Sequence, residues 1–173
     1  MPNTAYSASQ KKRRIKNLLN VFCIFLVLLI DQVSKAIISS KLSLGQSIPI
    51  IRRVWHITSV RNTGAAFGLF KNSTYFFIAV SILAIIIIGA VLIKSIRNKG
   101  LLNIGLILIM SGALGNLIDR VRLGYVVDFI DLRVWPVFNI ADSAITIGTI
   151  LLIFSFIKPN PKNLTENKTC DIL

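Results

Sequence analysis

The chain has 173 residues, 54% of them hydrophobic, and a formal net charge of +13 from 20 basic and 7 acidic side chains. That length suggests one domain, and that apolar share excludes an ordinary soluble one. The charge does not point to a nucleic-acid binder. No basic helix interleaves with exposed aromatics, and most basic residues flank apolar segments, where positive charge faces anionic lipid.

Residues 1–17 are polar and end in the basic run Lys11-Lys12-Arg13-Arg14-Ile15-Lys16. The run resembles the start of a secretory signal, but no small-x-small cleavage site follows and three more apolar segments do. It reads as a retained cytoplasmic arm for a first span. About 20 apolar residues cross the hydrocarbon core, which predicts four spans in a unit covering 18–158. The first runs from Leu18 to about Ile38 and is interrupted by Asp31 and Lys35. The second is Tyr75–Ile93. The third runs from Leu101 to about Ile118, with Gly105, Gly112 and Gly115 permitting close helix approach. The fourth runs from about Phe138 to Ile157 and is ended by Lys158-Pro159. The polar tail, 159–173, is expected to be disordered.

An even number of spans puts both termini on one side. The basic arm with Lys94, Arg97 and Lys99 makes that side cytoplasmic. The outer loop Ser39–Thr74 is rich in β-branched residues around Trp55 and then turns at Asn62-Thr63-Gly64. A few short strands lying on the outer face are expected there, with Trp55 and Trp135 at interfacial depth.

Two cysteines, Cys23 in an apolar run and Cys170 in the tail, make no disulfide framework. With one histidine, His56, no zinc site is expected, and neither is any other metal or cofactor. His56 reads as a strand residue without a catalytic part.

Four of the seven acids, Asp119, Asp128, Asp131 and Asp142, fall between Ser111 and Asp142. Asp31 and Lys35, four apart, share a helix face. They read as a structural ion pair bracing a site. Asn116 and Arg120 also share a face, whereas Asp119 lies on another and is expected to be solvated. Asn139 and Asp142, three apart, aim the same way. Asp128 is read as a connecting-loop residue with apolar neighbours on both sides. Desolvation and a second nearby carboxylate both raise a carboxyl pKa. Two such acids can share a proton, one acting as base on water while the other polarises a carbonyl. On the residues alone a plainer reading stands beside this: Asp128 a loop acid, Asp142 a helix-start acid favoured by the helix dipole. Asn62 beside Gly64 likewise reads as a turn residue.

The ordered motifs Asp31-Gln-Val-Ser-Lys35, Asn62-Thr-Gly-Ala-Ala-Phe67, Gly112-Ala-Leu-Gly-Asn116 with Asp119-Arg120, Val127-Asp128-Phe129 and Phe138-Asn-Ile-Ala-Asp142 resemble those of the lipoprotein signal peptidases (signal peptidase II). One departure is Ser111, where many members carry glycine. The resemblance implies an all-α integral membrane protein with four transmembrane helices and a small extracytoplasmic β-cradle. It implies that Asp128 and Asp142 are the catalytic pair. Asn62, Asn116, Arg120 and Asn139 would hold substrate or order the pair, and Asp31 and Lys35 would support it. Gly64, Gly112 and Gly115 would allow close approach. The implied substrate is a diacylglyceryl prolipoprotein at the outer face of the bacterial cytoplasmic membrane, cut on the amino side of the lipidated cysteine. No metal is expected, and nothing in the sequence demands more than a monomer. Two rival classes are a transporter with an Asp31–Lys35–Asp142 relay and a scaffold assembling through glycine faces. The first expects repeated halves with broken helices, which the chain lacks. The second leaves the paired asparagines and acids without a purpose.

Overall fold

The computed structural model describes residues 3–64, 73–94 and 100–157. Ala65–Phe67 of the second motif, the basic residues Arg97 and Lys99, Lys158-Pro159 and the polar tail with Cys170 lie outside them.

Seven elements follow in order: α1 (Asn3–Lys41), β1 (Ser47–Ile51), β2 (Trp55–Asn62), α2 (Thr74–Lys94), α3 (Leu101–Leu123), β3 (Val126–Asp131) and α4 (Ile140–Ile157). Four stretches are long and apolar enough to cross a membrane: Arg14–Lys41, Thr74–Ile93, Leu101–Leu123 and Ile140–Ile157. Three bounds differ from the sequence reading. The first helix continues back through the basic arm, because nothing between Asn3 and Leu18 breaks it. The third runs to Leu123, where Gly124 takes the left-handed conformation at φ 81° and donates its N–H to Arg120 O. The fourth starts at Ile140, because Phe138 is drawn into a β-bridge with Ile130.

Burial is inverted relative to a soluble protein. Large apolar side chains such as Phe22, Phe25, Ile86, Ile87, Ile153 and Phe154 are exposed, as a lipid-facing surface requires. Between helices in lipid the hydrophobic effect offers little drive, so close packing and hydrogen bonds take over. α3 is the helix against which the other three pack, and its interior face is accordingly small and polar: Asn103, Gly105, Ser111, Gly112, Gly115, Asn116 and Asp119. Near the start of α3, Asn103 exchanges amide hydrogen bonds with Asn20 of α1.

Gly112 and Gly115 set how closely α1 and α4 approach. A Cβ on Gly112 would strike the carbonyl oxygen of Ala141 in α4, and one on Gly115 would lie 2.5 Å from Asp31 Oδ2 in α1. Asp31 cannot swing aside, since Lys35 and the Ala141 N–H both hold it. Gly115→Ala is therefore expected to destabilise the fold by about 1–3 kcal/mol. A melting temperature in detergent equal to that of the wild type would contradict this.

The three strands form one antiparallel sheet in the order β1-β2-β3. Arg53, with φ 67°, turns the β1-β2 hairpin. The sheet sits at the end of the bundle where α1 and α3 finish and α2 and α4 begin. Its apolar contact is a small cluster of Ile38 and Leu42 from α1 with Val127 and Phe129 from β3. Asp128 thus lies on a strand paired with Val60, not in a loop as the sequence suggested.

Candidate active site

Three elements converge on Asn139. Phe138 bonds to Ile130 through both its N–H and its carbonyl. That bridge carries the chain past β3 and sets Asn139, fully buried, beside Asp128. Asn139 is the N-cap of α4. Its Oδ1 accepts the Asp142 N–H at 2.9 Å, and Asp142 Oδ2 accepts the Asn139 N–H at 3.2 Å. This is a capping box with Asp in the third position, so the spacing of three between these residues has a local physical cause. The Asn139 amide nitrogen is left to donate outward, to Asp128 Oδ1 at 2.6 Å and Asn116 Oδ1 at 3.2 Å.

Asp128 is 2% exposed and accepts a second hydrogen bond at Oδ2 from Asn62 Nδ2, 2.9 Å away. Asn62 also accepts the Gly64 N–H at Oδ1, so it is a turn residue and a partner of Asp128 at once. Burial, first, and then the charge of Asp142 push the Asp128 carboxyl up to about 7, against the hydrogen bonds from Asn62 and Asn139 and the charge of Lys35. Asp142 is half-buried, and its Oδ1 accepts from Asn116 Nδ2 at 2.8 Å. Asn139 therefore bonds to both carboxylates, and each carboxylate has two donors within the protein.

Below this layer lies a charged one. Lys35 Nζ reaches Asp31 Oδ2 at 2.9 Å, Asp119 Oδ2 at 2.9 Å and Asn116 Oδ1 at 3.0 Å, one acceptor for each of its three N–H bonds. Asp31 also accepts the Ala141 N–H of α4 at 2.9 Å. The Asp31–Lys35 pair expected from the sequence is present, but it is a hub joining three helices rather than two charges satisfying each other. Asp119 is the clear correction: it is 3% exposed, not solvated. Its carboxylate takes Lys35, the Gln32 side chain and the backbone N–H of Val127, the residue before Asp128. Three residues from Asn116, it shares that side of α3: one Lys35 ammonium bonds to both, and α1 and β3 cover the face. Gln32, which donates to Asp31, Asp119 and the Gly115 carbonyl, was not singled out in the sequence, although its position next to Asp31 was the available signal.

Asp131 does not join this cluster. It accepts from Thr58 and from the N–H and guanidinium of Arg133. Burial alone would raise its pKa, but these partners hold it below the usual carboxylate range. Arg120 lies over the Phe77 ring, 5.0 Å from its centre, and donates to the Gly64 carbonyl at 3.4 Å. Its Nε is buried without a hydrogen-bond partner among the described residues. His56 is in β2, with Ser47 Oγ 3.1 Å from Nδ1. Among the described residues no group of three or more His, Cys, Asp or Glu could hold a metal.

The family model for signal peptidase (SPase) II matches residues 23–158. A lipoprotein signal peptidase of Moorella thermoacetica is 50% identical over 134 residues, 78% of this chain and 89% of that one. Those of Halothermothrix orenii and Clostridioides difficile are each 46% identical, covering 75% and 78% of this chain. Two solved structures of a bacterial membrane enzyme, each 38% identical, superpose with TM-scores of 0.76 and 0.75. They cover 80% and 82% of this chain, and it spans 87% and 94% of theirs. A family match that takes in most of the first apolar helix and all of the other three, together with this level of identity and the same fold, establishes that the chain is a multi-pass bacterial inner-membrane protein belonging to the signal peptidase II family.

Proposed function

We propose that the protein is an aspartic endopeptidase that removes the signal peptide from diacylglyceryl-modified prolipoproteins, cleaving on the amino side of the lipidated cysteine. The observation carrying this reading is that one buried residue, Asn139, ties Asp128 through its side-chain amide to Asp142 through its backbone N–H, so the two acids act as a pair. In the working state the pair shares one proton. The ionised carboxylate takes a proton from water as the oxygen attacks the scissile carbonyl, and the protonated partner polarises that carbonyl. Collapse of the tetrahedral intermediate breaks the C–N bond, with a proton passing to the leaving amine. Asn116 and Asn62 hold one carboxylate each in register. Arg120, whose Nε has no partner among the described residues, is a donor available for substrate backbone. The half-buried Asp142 suits entry of water. The relatives' name, lipoprotein signal peptidase, supplies the substrate class.

The sheet end of the bundle, with the pair, is assigned to the extracytoplasmic face, and both termini to the cytoplasm: eleven basic residues lie toward the opposite ends against eight here, and the eleven are nearly free of acids and close to the span ends. A signal peptide is itself a membrane helix, and the diacylglyceryl chains keep its scissile bond at the membrane surface. The direct test is cleavage of a diacylglyceryl prolipoprotein by purified protein in detergent, with chelator present. No cleavage of a substrate validated with another family member would overturn the assignment.

The pH dependence has a defined sign. A pair that needs one proton loses activity as pH rises through about 7, the value to which Asp128 is pushed. The Asn62 hydrogen bond favours the carboxylate, so Asn62→Ala raises the Asp128 pKa further and moves the alkaline limb of kcat/KM to higher pH. A limb that stays in place or moves down would count against Asp128 as the titrating member.

A further inference from the structure

Behind β3, the last turns of α1 and α3 enclose a cavity of about 210 Å³ whose lining includes Lys35, Asp119, Arg122 and Tyr125. A smaller one of about 50 Å³ shares Ser39, Tyr125 and Val127 with it and adds Arg61. Strand alternation separates both from the paired acids: Val127 lines the two cavities, and its neighbour Asp128 points to the other face, where Asn62 and Asn139 hold it.

The charges along this crevice do not balance. Three cations, Lys35, Arg61 and Arg122, meet one carboxylate, Asp119. Lys35 is held at 2.9 Å both by Asp119 and, behind the lining, by Asp31, so it adds no free positive charge to the crevice. Arg61 rests on the Tyr125 ring, 4.8 Å from its centre. Arg122 is exposed and makes no hydrogen bond or ion pair among the described residues. Two unpaired guanidinium groups therefore flank Tyr125 at the end of the membrane-spanning helices. The same turns of α1 and α3 expose Ile37, Val121 and Leu123, apolar surface at the level of lipid chains.

We propose that this crevice binds the phosphate headgroup of an anionic phospholipid, with Arg61 and Arg122 as the recognising cations and the acyl chains along α1 and α3. Guanidinium groups match phosphate oxygens in a bidentate fashion, and the apolar side chains beside them favour a lipid over a soluble anion. Arg61 and Arg122 make no contact with the aspartate pair among the described residues, while Lys35 and Asp119 in the lining stand between the crevice and the pair.

Native mass spectrometry of the full chain in detergent tests this, with dioleoyl phosphatidylglycerol and dioleoyl phosphatidylcholine as probes. Phosphatidylglycerol is expected to bind preferentially. Affinity should fall about 5-fold in Arg122→Gln or Arg61→Gln and about 30-fold in the double variant, at roughly a factor of five per cation near a membrane surface. Both variants should melt as the wild type does in lipid-free detergent. Ala36→Phe, which fills the larger cavity from α1 without touching charge, should reduce binding as well. Equal retention of the two lipids, or phosphatidylglycerol binding unchanged in the double variant, would overturn the proposal. So would complete displacement of the lipid by millimolar inorganic phosphate, which would assign the crevice to a free anion.

Discussion

Asp128→Asn and Asp142→Asn are each expected to lower kcat for prolipoprotein cleavage by at least about 10³-fold, within the range that positioned acid–base groups supply. The two residues sit differently, and the variants fail for different reasons. At position 128, asparagine keeps one carbonyl oxygen for a donor but turns an NH₂ toward the other, so Asn62 or Asn139 loses its acceptor. At position 142 the capping box keeps its geometry if the amide oxygen faces the Asn139 N–H. Asp128 then loses a neighbouring negative charge that helps hold its pKa up. It ionises at lower pH, and the shared proton is gone. Because the pair acts as a unit, the double variant should be no worse than the worse single one. Losses that multiply would mean two independent roles. Asp131→Asn is the control: its carboxylate, though buried, serves Thr58 and Arg133 and lies away from the site, so cleavage should stay within about threefold of wild type. Near-normal turnover in either dyad variant, with an intact melting transition, would remove that residue from the mechanism.

The sequence showed the local parts of this site and hid the parts made by distant pairing. Asn139 and Asp142 were readable as a unit because a capping box is a three-residue repeat within one helix start. Asp31 and Lys35 were readable because four residues make one helical turn. Asp128 was placed in a loop because both faces of Val126–Asp131 are largely buried, which removes the alternation that marks a half-exposed strand. Its partner, β2, lies some sixty residues earlier in the chain. Asp119 was placed in solvent because a helical wheel gives the direction of a side chain and not what stands there. What stands there is Lys35 from α1, together with the Val127 N–H of β3, and only the packing of α1 and β3 on α3 brings them together. The length of α1 was missed for a simpler reason. Polarity marks where a span leaves the membrane, whereas helicity continues until something breaks it.

Lys35→Met is expected to destabilise the fold by about 3–5 kcal/mol, the usual cost of removing one partner from a buried ion pair, which corresponds to roughly 10 °C in melting temperature for a chain of this size. Methionine fills most of the space, so the loss is electrostatic. Asp31, 1% exposed, and Asp119, 3% exposed, are left facing one another without their cation, and Asn116 Oδ1 loses a donor. The arrangement also predicts the rescue. Asp119→Asn in the Lys35→Met background removes one of the two uncompensated charges. It leaves an amide oxygen to accept from Gln32 or Val127, so part of the lost stability should return, and the coupling between the two substitutions should exceed about 1 kcal/mol. Activity should follow a different pattern. Lys35 is linked to Asp142 by hydrogen bonds only through Asn116, and its charge acts on Asp128 without contact, so at a temperature where the variant is folded its kcat should fall much less than that of Asp142→Asn. A Lys35→Met protein that melts with the wild type would mean that the three-helix hub adds nothing to stability. One that is fully folded yet as inactive as Asp142→Asn would place Lys35 in the reaction itself.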